Sequence, residues 1–237
     1  MQFIEEKISI VERNKVQTST LIIILGTTII AITFFIALYY LRKSKPVYYK
    51  YILGYIVLGL FISTNTFTNR QFNFFTKRNS FLIEQSLCSL QFLMLGLFFL
   101  TLFHIGNLAK PIIKMIYISI VLQFTFLINI FLNGTAIYIH TVSNIFLIIC
   151  SVFYFRDLLN NKPTLILIHS STFWIVTGIF FFSCVSFPIY SLYPILPKDH
   201  AFRNLSSEIF SLANLSVIVL YLFIIKSYLC LKHPQNT

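Results

Sequence analysis

Long apolar runs alternate with short polar islands along the whole chain. The runs keep to about twenty residues, the length a helix needs to cross roughly 30 Å of hydrocarbon. Seven such segments are predicted, at residues 20–41, 48–67, 81–105, 112–132, 135–155, 165–188 and 205–229. The islands between them hold turn formers: Pro46 behind Arg42, Lys43 and Lys45, Pro111 behind Asn107, Asn133-Gly134, and Pro163 behind Lys162. In lipid, every backbone polar group must be satisfied within the protein, which leaves helices or closed barrels. The runs are uninterrupted and lack the period-two alternation of a barrel strand. The predicted fold class is therefore all-α: a polytopic integral membrane protein, a seven-transmembrane-helix bundle. Residues 1–19 form an N-terminal segment, 20–230 the bundle and 231–237 a C-terminal tail, with no second domain.

Composition agrees, with 57% hydrophobic and 11% charged residues, against about 25% charged in a soluble domain. A net charge of +11 could suggest nucleic acid, but the basic residues sit at segment ends, where they act as topology signals and headgroup contacts. Ten Lys and Arg residues fall on the side of the C-terminus and eight on the other, which favours a cytoplasmic C-terminus and an N-terminus outside. The first nineteen residues carry Glu5, Glu6 and Glu12 and lack the basic start and short apolar core of a signal peptide, so the first span is expected to be retained. Cys88, Cys150, Cys184 and Cys230 lie in apolar segments without CxxC spacing and read as structural thiols. The 27 Phe and 13 Tyr are expected to be lipid-facing bulk in the main.

Alternating direction brings polar residues of different segments to one level. Segments three, five and seven start on the N-terminal side, and segments two and four end there. Glu84, His140 and Glu208 fall shortly after segment starts, about 5 to 8 Å below that interface at 1.5 Å per residue. Asn65 and Asn129 reach a comparable depth from the other direction. Glu84, Cys88 and Gln91 form one helical stripe, and His140, Ser143, Asn144 and Ser151 another. A carboxylate in hydrocarbon costs a few kcal/mol and is a functional candidate by default. The expected site is a polar cavity open to the N-terminal side, with Glu84, Gln91, His140, Asn144, Asn65, Asn129 and Glu208 as ligand-binding residues. There Glu84 and His140 could share a proton or hold a cationic or hydrogen-bonding ligand. Two plainer readings compete. The polar groups could be interhelical glue, worth about 1 kcal/mol each, or carboxylates near the boundary could snorkel to water, above all Glu208 beside Ser206 and Ser207. On the opposite side His104, Asn107, His169, Ser170, Ser171, Thr172 and Lys226 read as ordinary interface polarity.

Several chemistries are disfavoured. A zinc hydrolase needs three ligands at one depth, and His140 is alone among histidines at the N-terminal level. A retinal protein needs a lysine in mid-segment seven, and Lys226 lies near its exit. The acidic-Arg-aromatic signature of G-protein-coupled receptors is replaced by Phe103-His104-Ile105. Pro188 is the only strong helix interruption, where transporters usually show broken helices or repeated halves.

Ile83-Glu84, Phe155-Arg156-Asp157-Leu158-Leu159, Phe173 to Gly178, Phe187-Pro188, Asn214 and Tyr221 together resemble a family of small bacterial seven-span membrane proteins of unknown activity. Such proteins are similar in layout to the seven-span sensing modules of bacterial signalling proteins. The resemblance implies a bacterial inner (cytoplasmic) membrane protein with a non-enzymatic sensory or accessory role, without a cofactor. Its expected partners are the lipid bilayer, a membrane-bound kinase or other membrane-complex subunit, and a small-molecule ligand. The alternative is a small secondary transporter or channel using Glu84 as a proton or cation site.

Overall fold

The structure is a computed structural model that describes residues 2–41, 46–72, 76–105, 110–133, 139–161, 170–192 and 200–231. These residues form seven helices and no strand: α1 (Gln2–Leu41), α2 (Tyr48–Phe72), α3 (Lys77–Ile105), α4 (Lys110–Asn133), α5 (Ile139–Asn161), α6 (Ser171–Leu192) and α7 (His200–Cys230). Six are long and apolar enough to cross a membrane, over Leu21–Leu41, Tyr48–Asn69, Leu82–Phe103, His140–Asn160, Ser171–Leu192 and Ser211–Cys230. In α4 the apolar stretch among the described residues is Ile113–Thr125. The first helix runs on from its span to Gln2. The N-terminal segment contains no Gly or Pro to stop it and is rich in Glu, Lys and Gln, which sustain a helix. The predicted start of segment six at residue 165, Gly134 of the fourth connection, the Arg42, Lys43, Lys45 island and the tail from 232 lie outside the described residues.

Packing between neighbours defines a ring. The pairs α1–α2, α2–α3, α5–α6, α6–α7 and α7–α1 pack side by side, and a thinner α3–α5 seam closes the circle. The remaining helix, α4, lies outside the ring against α3 and α5. Its described surface is accordingly apolar and exposed at Tyr117, Ile118, Val121, Phe124 and Ile128, with Ile116 and Gln123 buried. Side-chain bonds fix the relative directions. At one end of the ring Thr27 of α1 meets Ser63 of α2 at 2.5 Å, Thr66 of α2 meets Glu84 of α3 at 2.7 Å, and Gln85 of α3 meets His140 of α5 at 2.8 Å. At the other end Tyr49 of α2 meets Ser227 of α7, and Tyr154 of α5 meets Thr172 of α6.

These two ends differ in packing. The C-terminal half is solid: Tyr49, Ile52, Phe98, Phe99, Phe103, Val176, Ile224 and Tyr228 are fully buried in one cluster. Rings there interlock, with Tyr49 5.3 Å from Tyr228 and Tyr48 6.0 Å from Phe98. The tyrosines expected to be lipid-facing bulk are thus in several cases core residues; the Tyr49 and Tyr154 hydroxyls pair with Ser227 and Thr172, while that of Tyr228 has no hydrogen-bond partner among the described residues. On α6 and α7 the backbones approach closely at Gly178, where a Cβ would stand 2.7 Å from the Cβ of Phe223. Several threonine hydroxyls bond back to their own helix, as Thr33 does to the Ile29 carbonyl at 2.7 Å and Thr177 to that of Phe173 at 2.8 Å.

Candidate ligand chamber

The other half of the ring encloses a cavity of about 220 Å³. Each wall is a helical stripe. On α7 it is Asn214, Val217, Ile218 and Tyr221, at i, i+3, i+4 and i+7. On α2 it is Tyr55, Gly59, Ile62, Ser63 and Thr66, on α3 Cys88, Gln91 and Phe92, and on α1 Ile22, Ile23, Gly26 and Ile30. His140 of α5, with Phe182 and Tyr190 of α6, completes the lining. Ile22, Thr66, His140, Tyr190 and Asn214 all lie within three residues of the span ends on the N-terminal side, so the chamber reaches that boundary. Gln91 and Tyr221 lie nine and ten residues inside Leu82 and Ser211, about 13 to 15 Å down, which is mid-membrane.

At this depth three polar side chains meet. Gln91 donates from Nε2 to the Tyr55 carbonyl at 3.2 Å, and the Tyr221 hydroxyl lies beside the Gln91 amide and the Tyr55 ring. Glycine at position 59 makes the arrangement possible. A Cβ there would overlap the Tyr221 hydroxyl and stand 3.0 Å from Gln91 Nε2. Near the mouth the His140 ring stacks on Tyr190 with centroids 4.7 Å apart, and its Nε2 pairs with Gln85. His140 thereby joins the chamber to the α3–α4–α5 seam, where Ser89 donates to Gln123 Oε1 at 3.3 Å and Gln123 Nε2 donates to the Ser143 hydroxyl.

Of the residues predicted for the site, Gln91 and His140 line the chamber. Glu84 stands at its rim, two residues inside the start of its span, and accepts a hydrogen bond from Thr66, which is a lining residue. Glu84 and His140 are held by different partners, Thr66 and Gln85. Asn144 is fully buried one turn beyond His140, its amide atoms without a hydrogen-bond partner among the described residues, and it does not line the chamber. Asn65 sits beside the α2 lining stripe, and Asn129 belongs to α4, outside the ring. The Glu208 side chain lies outside the described residues, as do those of His104, Asn107 and His169. No three His, Cys, Asp or Glu side chains converge as a metal site among the described residues.

Tyr55, Tyr190, Ser63 and Tyr221 contribute to the chamber without having been assigned to it from the sequence. The available signal was stripe membership: Tyr221 lies at i+7 from Asn214, and Tyr55 and Gly59 lie on the Thr66 face of α2. Chemically the chamber offers hydrogen-bond donors and acceptors in an apolar enclosure, and none of its described lining residues carries a formal charge. Comparison of the chain with protein families, with curated proteins and with solved structures finds no match.

Proposed function

We propose that this is a seven-span membrane protein that binds a small molecule in the chamber and acts, without catalysis, through a partner protein in the same membrane. The carrying observation is asymmetry: a chamber that reaches one boundary and ends at mid-depth on a solid aromatic core. A blind chamber suits reception of a ligand better than conduction. A crossing by α4 is supported by the Gln85–His140 bond, which brings the starts of α3 and α5 together and requires the chain to return across the bundle between them. Helix α4 has 24 residues, about 36 Å at helical rise, which is sufficient for the return. In this reading the N-terminus lies outside a bacterial inner membrane and the ligand arrives from that side or from the lipid. Occupancy is felt at His140 and relayed through Gln85 to the seam beneath α4, whose exposed face is available to a membrane partner, such as a kinase or complex subunit.

The test is purification in native lipid with quantitative mass spectrometry, beside reconstitution of the protein alone into liposomes. The proposal expects a stoichiometric membrane partner whose association changes in the Gln91→Leu variant. Reproducible solute flux through liposomes containing only this chain would contradict it and favour a transporter with Glu84 as its ion or proton site.

A further inference from the structure

We infer that the chamber takes an uncharged, lipid-soluble molecule whose hydroxyl or carbonyl oxygen is read at mid-membrane by Gln91 and Tyr221. The inference rests on the chamber being a ligand site, and it adds the chemical class. Charge is the first discriminator. The walls combine apolar Ile30, Phe92, Phe182, Val217 and Ile218 with neutral polar side chains such as Ser63 and His140, without a formal charge of either sign among the described lining residues, and an ion taken into such an enclosure without a counter-charge loses far more than a neutral molecule does. Among the described residues the one nearby carboxylate, Glu84, is at the rim and engaged by Thr66.

Polarity at the chamber's inner end is the second discriminator. A wholly apolar ligand would leave the Gln91 Oε1 and the Tyr221 hydroxyl facing hydrocarbon, where unmatched polar groups are costly. The Gln91 amide is oriented by the Tyr55 carbonyl, which must face its nitrogen. Its Oε1 then has no hydrogen-bond partner among the described residues and can accept from a ligand hydroxyl. The Tyr221 O–H can donate to the same ligand oxygen. Gly59 keeps this pair at the chamber wall by leaving room for the phenol. Size is the third. The cavity of about 220 Å³ exceeds the roughly 150 Å³ that admits benzene in an engineered protein, so it can hold a small ring or a short chain with its polar head.

The experiment uses the full chain in lipid nanodiscs and three photoreactive probes of equal length: a diazirine-bearing octanol, the matching octanoate and the matching alkane. The octanol is expected to label chamber-lining peptides of α2, α3 and α7 at least tenfold more than the octanoate or the alkane. Tyr221→Phe, which keeps the ring, should reduce that labelling about fivefold while leaving the melting temperature within a few degrees. Gln91→Met should act in the same direction, and Thr64→Leu, on the exposed face of α2, should leave labelling unchanged. Preferential labelling of the chamber by the octanoate or the alkane, or insensitivity to Tyr221→Phe, would overturn the class assignment alone. Failure of all three probes to label the chamber would overturn both the class and the ligand-site reading.

Discussion

A methyl group added at Gly59 probes the inner end of the chamber directly. In Gly59→Ala the new carbon would overlap the Tyr221 hydroxyl and lie 3.2 Å from the Tyr221 Cζ and 3.0 Å from Gln91 Nε2. Tyr221 of α7 is 1% exposed, so its hydroxyl has to give way toward the chamber it lines, away from Gln91. Overpacking of this kind costs about 1 to 3 kcal/mol, and losing the Gln91–Tyr221 contact adds up to about 1 kcal/mol. The sum is about 1 to 4 kcal/mol, which for a chain of 237 residues corresponds to a fall in melting temperature of about 2 to 16 °C. Thermal unfolding in detergent, followed by light scattering and size exclusion, reads the shift. Gly26→Ala is the control, because the nearest atom to its Cβ is Ile218 Cγ1 at 3.9 Å, and it should change stability by no more than about 0.5 kcal/mol. The double variant Gly59→Ala/Tyr221→Phe removes the colliding hydroxyl and should recover at least half of the loss, a coupling of the size expected for residues in contact. An unchanged melting temperature for Gly59→Ala, or no recovery in the double variant, would refute the packing described here.

Gly178→Ala should cost at least about 2 kcal/mol, because its Cβ would meet the root of Phe223 at 2.7 Å; Phe223→Ala, which keeps that root, should rescue little, as differential scanning of the double variant can determine. Gly96→Ala, whose Cβ finds only Ile120 Cγ1 at 3.6 Å, should be tolerated in the same assay. Gln123→Leu breaks the Ser89–Gln123–Ser143 chain and should lower stability by about 1 kcal/mol without changing probe labelling in the chamber. Glu84→Gln retains an oxygen for Thr66 and should leave stability within about 0.5 kcal/mol; a changed signalling output with a normal melting curve would assign the carboxylate a functional role, and no change in either would leave it as rim polarity.

Helix number and spacing were legible because the apolar runs are long enough for helices and the islands carry turn residues; six of the seven helices have the length and apolarity that lipid demands. The Glu84, Cys88, Gln91 stripe was also legible, since it marks one face of α3, and Cys88 and Gln91 of that face line the chamber. Weight within the stripe was not legible. The sequence draws attention to the carboxylate because charge is rare in lipid, whereas the deepest polar contacts belong to Gln91, Tyr55 and Tyr221. Tyrosine is ambiguous from sequence alone: an apolar ring with a polar tip suits a membrane interface, a lipid contact or a buried hydrogen bond equally well. The position of α4 outside the ring was hidden for a different reason. Its run is expected in the bundle like the others, whereas among the described residues its principal packing partners are α3 and α5 and its apolar stretch is Ile113–Thr125.

One end of the bundle holds a chamber that extends to the N-terminal side, and two neighbouring positions on α2 probe whether water reaches it. Ser63 lines the chamber, whereas Thr64, at nearly the same depth, faces outward. In a background with the four native cysteines replaced by serine, single cysteines at these positions are exposed to a membrane-impermeant methanethiosulfonate from the N-terminal side. The account predicts rapid modification of Ser63→Cys and at least tenfold slower modification of Thr64→Cys, because a thiol against lipid has no water in which to ionise. Equal rates at the two positions, or faster reaction at Thr64→Cys, would contradict it.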